Sequence, residues 1–121
     1  MPRTMVRIDG RRRITLPREA CKALLLEKKR YIVLCPGRKG TICVYLPSAF
    51  DELVRGIEQA EKNDNDPGRT RAFFRFIFSA ALPRVPDAAG RITLHPSLWG
   101  CRRQPRRISL RIVLPKAGAS V

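Results

Sequence analysis

The chain has 121 residues, of which 44% are hydrophobic, and its 25 Lys and Arg against 10 Asp and Glu give a formal net charge of +15. That length predicts one domain or a closely coupled pair, and the apolar content excludes a disordered tail. No apolar run approaches the roughly 18 residues of a membrane span, and the N-terminus lacks the apolar segment of a secretory signal. We therefore expect a soluble cytoplasmic protein without a membrane partner, whose charge favours nucleic acid.

Short strands and one helix are predicted for the first part of the chain. Met5–Asp9 and Arg13–Leu16 are typical of strands, and Pro17–Glu27 is typical of a short helix with proline near its first turn. Tyr31–Cys35 and Thr41–Tyr45 are β-branched or aromatic runs, and the Pro-Gly-Arg-Lys-Gly segment between them is a good hairpin turn.

A second helix is predicted to begin at Pro47-Ser48. Ser48 and Asp51 have a spacing similar to that of a capping box. The apolar residues of this helix recur at helical spacing, which indicates a core-facing stripe rather than a ligand surface. They are Phe50, Leu53, Val54 and Ile57.

The second part of the chain is predicted to begin after a loop at residues 62–68 (KNDNDPG). Asp66-Pro67 is suited to cap and start a third helix through Phe73–Phe78, and we expect the phenylalanines of that helix to be buried. The next segment, Leu82–Leu94, is predicted to form a hairpin whose first strand is confined to a sheet edge by Pro83 and Pro86. A final strand at Ile108–Leu114 and a loose tail at Lys116–Val121 complete the prediction.

One motif occurs twice, 78 residues apart. Asp9 and Arg13, followed by Ile-Thr-Leu and a proline, can be laid over Asp87 and Arg91, followed by Ile-Thr-Leu-His and a proline. This pattern predicts a short hairpin in each copy, closed by an Asp-x-x-x-Arg turn in which the carboxylate accepts backbone N–H bonds and pairs with the arginine. An arginine held in this way is oriented to reach a phosphate or a guanine edge. Bracing of the turn alone is the alternative reading.

The positive charge lies at both ends of the chain. Residues 1–50 have a net charge of +9, residues 51–87 of −1 and residues 88–121 of +7, with no acidic residue in the last block. The first block centres on Arg11-Arg12-Arg13 and thus coincides with the first copy of the motif. Charge and position add Arg11 and Arg12 to the candidate DNA-binding residues.

With these residues the chain resembles the MraZ family of bacterial transcriptional regulators, which are relatives of the AbrB-type swapped-hairpin DNA-binding proteins. The repeated Asp-x-x-x-Arg, each copy followed by an apolar strand, carries the resemblance, and so do the two runs around Gly37–Gly40 and the Pro47-x-x-Phe50 helix start. The likeness covers roughly residues 3–98. The first copy departs from the family with Arg12 where Gly is usual, whereas the second copy keeps Gly90.

The resemblance implies a mainly β fold with short helices (α+β), in which two swapped-hairpin repeats form a pseudo-dimeric barrel. The implied boundaries are residues 3–55 for the first repeat, 56–79 for a helical connection, 80–114 for a divergent second repeat and 115–121 for the tail. Beyond about residue 98 the pattern of the family is lost, and a shifted reading frame is one hypothesis for a divergent or truncated end.

The function implied by the resemblance is sequence-specific binding of double-stranded DNA at repeated sites, upstream of a division and cell-wall gene cluster, by a nucleoid-associated ring of identical subunits. In the motif, Arg13 and Arg91 are expected to contact DNA, and Asp9 and Asp87 to hold the turns. Two alternatives remain open. The first is an AbrB-like antitoxin that also binds a toxin through a tail that folds on its partner, and the second is a general basic RNA- or DNA-binding protein.

Catalysis and metal binding find no support in the sequence. A single histidine, His95, leaves no multi-histidine metal site and no good base for a nucleophile. The four cysteines are scattered without a Cys-x-x-Cys pair and are expected to be reduced thiols; they are Cys21, Cys35, Cys43 and Cys101. We therefore expect no enzyme activity, no cofactor, no metal and no small-molecule substrate.

Overall fold

A computed structural model describes residues 3–37, 40–63, 65, 67–100 and 102–116, without the side chains of residues 67, 73 and 77. Residues 38 and 39 of the predicted hairpin turn, the predicted capping residue Asp66, Cys101 and the tail from residue 117 lie outside the described residues.

Seven strands and three α-helices are formed by the described residues, so the fold is mixed α and β. In chain order they are β1 (Arg3–Arg7), β2 (Arg13–Thr15), α1 (Arg18–Leu25), β3 (Ile32–Pro36), β4 (Thr41–Tyr45), α2 (Pro47–Asn63), α3 (Pro67–Ala80), β5 (Leu82–Arg84), β6 (Arg91–Thr93) and β7 (Arg107–Val113). A 3₁₀ turn at Pro96–Leu98 precedes β7. All seven strands and all three helices lie within a few residues of their predicted positions.

The strands form two separate sheets. The larger has the order β1-β7-β4-β3-β5, with β4 and β7 parallel and the other neighbours antiparallel. It is open, with β1 and β5 at its edges, and the described strands do not close into a barrel. The edge position of β5 confirms the prediction from its prolines, because an edge strand can tolerate a residue without an N–H group.

The smaller sheet corrects the prediction of a hairpin within each motif copy. β2 pairs with β6, so the strand that follows the first Asp-x-x-x-Arg turn is bonded to the strand that follows the second turn. β1 is likewise bonded to β7, and β5 to β3. The strands of each copy therefore use their ladder hydrogen bonds on partners from the other half of the chain rather than on each other.

The β2–β6 pair is symmetric about its centre. Ile14 lies opposite Ile92, and the flanking bonds run from Leu16 N–H to the Gly90 carbonyl at 2.9 Å and from Leu94 N–H to the Arg12 carbonyl at 2.7 Å. Ile14, Ile92, Leu16 and Leu94 are all buried. The two motif copies are thus fixed to each other by core packing, and each such side chain contributes about 1.5–3 kcal/mol on burial.

The core lies between this pair and the inner face of the larger sheet. Its largest contributions from that face are Ile32, Leu34, Ile42, Val44 and Leu110, all buried. Trp99 is also buried in this core, although the sequence around it shows no regular apolar period. The segment beyond residue 98 therefore takes part in the fold, and β7 confirms the predicted final strand.

The helices depart from the predictions in two details. The start of α2 is capped by Glu27, whose carboxylate accepts hydrogen bonds from Ser48 N–H at 2.8 Å and from Ser48 Oγ at 2.9 Å, rather than by Asp51. Burial of the α3 phenylalanines is wrong for Phe76 and Phe78, which are 58% and 38% exposed. The cause is that α3 packs on α2 and β3 alone, so part of its apolar face has no covering element.

Candidate nucleic-acid interface

The first Asp-x-x-x-Arg turn is organised by one carboxylate. Asp9 Oδ1 accepts the N–H groups of Arg11 and Arg13 at 2.8 and 2.9 Å, and Asp9 Oδ2 accepts Arg13 Nε at 3.0 Å. Two backbone bonds close the loop, from Asp9 N–H to the Arg13 carbonyl at 2.9 Å and from Arg12 N–H to the Asp9 carbonyl at 3.1 Å. Asp9 thus fixes both the backbone of the turn and the direction of the Arg13 side chain.

The second turn repeats this arrangement bond for bond. Asp87 Oδ1 accepts the N–H groups of Ala89 and Arg91, and its Oδ2 accepts Arg91 Nε, all at 2.9 Å. Asp87 N–H donates to the Arg91 carbonyl at 3.0 Å and Gly90 N–H to the Asp87 carbonyl at 2.9 Å. The predicted Asp–Arg pairing is confirmed in both copies, which differ in sequence but not in geometry.

Both turns need a left-handed residue just before the arginine. Gly90 has φ of +78° and Arg12 has φ of +60°. Glycine adopts this conformation freely, whereas a residue with a Cβ is strained there. The presence of arginine at this strained position, where the second turn has glycine, gives the first turn an extra exposed cation at a cost in backbone energy.

Both carboxylates are held ionised. The backbone hydrogen bond from Arg13 is the main cause that lowers the pKa of Asp9, and the bond from Arg91 does the same for Asp87. Each charged pair uses only the Nε of its guanidinium for the carboxylate. The terminal amino groups of Arg13 and Arg91 therefore stay outside these pairs, as recognition of a phosphate or a base requires.

The β2–β6 pairing brings the two motif arginines to one surface. Ile14 and Ile92 face the core, so Arg13 and Arg91, one residue away on each strand, project to the opposite face. They are diagonal neighbours, because Arg13 lies opposite Thr93 and Thr15 lies opposite Arg91. Such neighbours are about 7–8 Å apart, so the structure joins two motifs 78 residues apart into one two-stranded ribbon with a basic face.

The remaining predicted residues occupy unequal places. Arg11 and Arg12 are exposed in the first turn, but their counterparts in the second turn are Ala89 and Gly90. The six sequence-predicted residues therefore form one site with an asymmetric distribution of charge.

Two groups beside the ribbon were missed by the sequence analysis. Thr15 and Thr93 are exposed between the arginines, and Arg84 Nε donates to the Thr93 carbonyl at 3.1 Å. Gln104 Nε2 donates to the Asp9 carbonyl at 3.3 Å. The repeat identified Thr15 and Thr93 as matching positions, but only the strand pairing shows which face they share.

Other candidate chemistry is accounted for locally. His95 is exposed and its Nδ1 accepts Ser97 N–H at 3.1 Å at the start of the 3₁₀ turn. Within the part of the chain that the structure describes, no group of three His, Cys, Asp or Glu residues is placed to hold a metal ion. Cys21, Cys35 and Cys43 are free thiols, and burial raises the pKa of Cys35 to about 11. None of the described helices combines the length and the apolarity needed to cross a membrane.

Comparison with known proteins gives one consistent result. The chain is 31% identical over 88 residues to proteins named transcriptional regulator MraZ in Mycobacterium avium (strain 104) and in Mycolicibacterium smegmatis, matches that cover 73% of this chain and 57% of each relative. It is 28% identical over 90 residues to the protein of that name in Mycolicibacterium gilvum, covering 74% of this chain and 58% of the relative. The chain thus spans somewhat more than half the length of these relatives. No protein-family profile matches it.

Proposed function

We propose that this chain, which belongs to the MraZ family over the residues it shares with these relatives, is a transcriptional regulator that binds double-stranded DNA sequence-specifically through its two Asp-x-x-x-Arg turns. The observation that carries the proposal is the diagonal placement of Arg13 and Arg91 on the outer face of the β2–β6 ribbon, each held by an ionised carboxylate.

The dimensions of the ribbon suit the major groove. That groove is about 12 Å wide and admits a two-stranded β-ribbon. An arginine fixed at its Nε retains its terminal amino groups for guanine O6 and N7 or for a phosphate. Arg13 and Arg91 are the proposed reading residues, Asp9 and Asp87 orient them, and Arg11 and Arg12 add contacts on the side of the first turn.

The pairing pattern supports two intertwined repeats. A strand before each Asp joins a strand from the other half of the chain, β1 with β7 and β5 with β3, and the strands after each Arg join each other. This exchange is what two swapped hairpins in one chain would produce. The proposed division is residues 3–55 for the first repeat, 56–79 for the connection, 80–114 for the second repeat and 115–121 for the tail.

A ring of identical subunits is the proposed assembly, located in the cytoplasm at the nucleoid. Leu25, Leu26 and Val85 are 66%, 74% and 73% exposed, and Leu25 and Val85 line one pocket of about 450 Å³ beside the second turn. Exposed apolar side chains grouped in this way favour a protein contact. Several copies in one assembly would add weak contacts at repeated sites into useful affinity, as at the promoter of a division and cell-wall gene cluster.

The test of function is selection of bound duplexes from a random-sequence pool, run with the wild type and with the Arg13→Ala/Arg91→Ala variant. We expect the wild type to enrich a short repeated sequence and the variant, still folded by circular dichroism, to enrich none. Equal retention of all duplexes by both proteins would instead identify a general polyanion binder. Retention of RNA in preference to duplex DNA, or of neither, would also overturn the proposal.

The assembly is tested by measuring the mass in solution. The wild type should be a multiple of 13.7 kDa, and Leu25→Ser/Val85→Ser should shift it towards the monomer. A wild-type monomer at micromolar concentration contradicts the ring. As a control, Phe76→Ser removes an exposed aromatic side chain on α3 and should leave the mass unchanged.

A further inference from the structure

We infer that the chain has a second DNA-contacting surface, a phosphate-binding pocket beside the first turn, formed by β1, β7 and the loop before β7. This inference rests on the proposed function, because it assigns this pocket to the backbone of the same duplex. The arginines of this surface, named the basic face below, are Arg3, Arg7, Arg102, Arg103, Arg107 and Arg111.

The strand register places like charges opposite each other. In the β1–β7 pair, Arg3 lies opposite Arg111 and Arg7 lies opposite Arg107. Side chains directly opposite in an antiparallel pair share one face and are close, so two arginine pairs repel. No carboxylate forms an ion pair with any of these four among the described residues, and residues 88–121 contain no acidic side chain. An anion bound from solution would relieve this repulsion.

A pocket lies between the two arginine pairs. Its volume is about 370 Å³, and it is lined by Met5 and Ser109, which face each other across β1 and β7, by Arg107 of β7, by Arg102 and Arg103 of the preceding loop and by Trp99 below. The lining thus combines three guanidinium groups with a hydroxyl group over an apolar base. These are the donors that bind a phosphate group.

Unpartnered polar atoms sit at this pocket and next to it. Ser109 Oγ is buried without a hydrogen-bond partner among the described residues, and so are Thr41 Oγ1, which belongs to the residue opposite Ser109 on β4, and Arg111 Nε. Thr41 is 5% exposed. Buried polar atoms are nearly always satisfied, so three neighbouring exceptions on one sheet face indicate a site that takes a ligand, and two of them are donors to an anion while the third is a hydroxyl.

The loop of this pocket is bonded to the first DNA-binding turn. Gln104 Nε2 donates to the Asp9 carbonyl at 3.3 Å, and Ile8 N–H donates to the Arg106 carbonyl at 2.9 Å. A duplex seated on the Asp9 turn therefore passes next to the loop with Arg102 and Arg103. Phosphate contacts there carry no sequence information but fix the position of the duplex.

The second turn has no comparable surface. At the offset of 78 residues, Met5 and Arg7 correspond to Pro83 and Val85, and Ser109 corresponds to Tyr31. The phosphate pocket is therefore one-sided and gives the pseudo-symmetric ribbon a fixed orientation on DNA.

The test is the salt dependence of binding for Arg103→Gln/Arg107→Gln, measured on the enriched duplex and on an unrelated duplex of equal length. Loss of two phosphate contacts should make the log–log salt slope about 1.8 shallower, at about 0.9 per contact. Affinity should fall by the same factor for both duplexes. The matched control, Arg55→Gln/Arg75→Gln, removes two exposed arginines from α2 and α3 and should leave the slope unchanged.

Two outcomes overturn the inference. One is a slope equal to that of the control, and the other is a loss confined to the enriched duplex, which would mean base recognition. In both, a loss of affinity in Arg13→Ala would leave the proposed function intact, whereas unchanged binding of Arg13→Ala would contradict the proposed function itself. Arg103→Gln alone changes only the loop and gives half the slope change, so the test holds even if the change within β7 unfolds the chain.

Discussion

The two Asp-x-x-x-Arg turns have the same internal hydrogen bonds but different surroundings. The first has Arg11 and Arg12 within it and the basic face beside it, whereas the second has Ala89 and Gly90 within it and an apolar pocket lined by Val85 beside it. The turn geometry depends on one carboxylate and one left-handed residue, so it survives such changes. The comparison teaches that a repeated motif can keep its local geometry while its two copies face different partners.

The largest expected effect tests whether the halves share one core. Ile14→Ala and Ile92→Ala remove side chains that are 1% and 2% exposed and face each other across the β2–β6 pair. Each should lower the free energy of unfolding by about 2–5 kcal/mol, through lost burial and the cavity left behind. Urea denaturation should give similar losses for the two. If one of them is neutral, the two copies do not pack as equivalents.

The left-handed position should respond in opposite directions in the two turns. Gly90→Ala places a Cβ at φ of +78° and 3.0 Å from Cys21 Sγ, and should cost about 1–2 kcal/mol from the backbone alone. Arg12→Gly relieves the same strain and should stabilise the chain by about 1 kcal/mol while weakening DNA binding.

Arg12→Ala is the control for this pair, because it removes the cation but keeps the strained backbone. Its stability should match that of the wild type. A stabilisation as large as that of Arg12→Gly would assign the strain to the arginine side chain instead of to the backbone.

Charge repulsion on the basic face should limit stability in the absence of DNA. Arg107→Gln removes the charge opposite Arg7 and should raise the free energy of unfolding by about 0.2–1 kcal/mol at low salt, with the gain disappearing at high salt. Arg103→Gln has no arginine opposite it in a strand pair and should be neutral. Equal effects of the two would show that net charge, not register, sets the repulsion.

Acid should weaken both turns to a similar, small extent. Asp9 and Asp87 have pKa values below the ordinary value of 3.8, chiefly through backbone hydrogen bonds from Arg13 and Arg91. Their stabilising contribution is therefore complete above about pH 4 and is lost as the pH falls through the lowered pKa. Stability measured between pH 7 and pH 2 should decline less in Asp9→Asn and in Asp87→Asn than in the wild type. A decline as steep as that of the wild type would place the acid sensitivity elsewhere.

Local patterns in the sequence predicted the strands, the helices and the motif pairs, because turn chemistry and apolar periodicity act over a few residues. They did not predict which strands pair. β2 and β6 are 78 residues apart, and the symmetric contact of Ile14 with Ile92 depends on the whole chain. For the same reason the buried Trp99 and the loop of Arg102 were missed, since their partners lie in β1 and in the first turn.

The candidate site was predicted as six residues, and the structure turns them into a ribbon with neighbours. The repeat identified Asp9, Arg13, Asp87 and Arg91 without any structural information. The pocket at Ser109 was beyond prediction, because its arginines looked like an unstructured basic tail until β7 placed them opposite β1.

The most direct test of the central claim is the affinity of Arg13→Ala and of Arg91→Ala for the enriched duplex, each compared with the wild type at one salt concentration. If both turns present equivalent arginines to DNA, each substitution should cost about 1–3 kcal/mol of binding free energy and relax the sequence preference at one position. Full affinity in either variant, with its fold intact, would contradict the account.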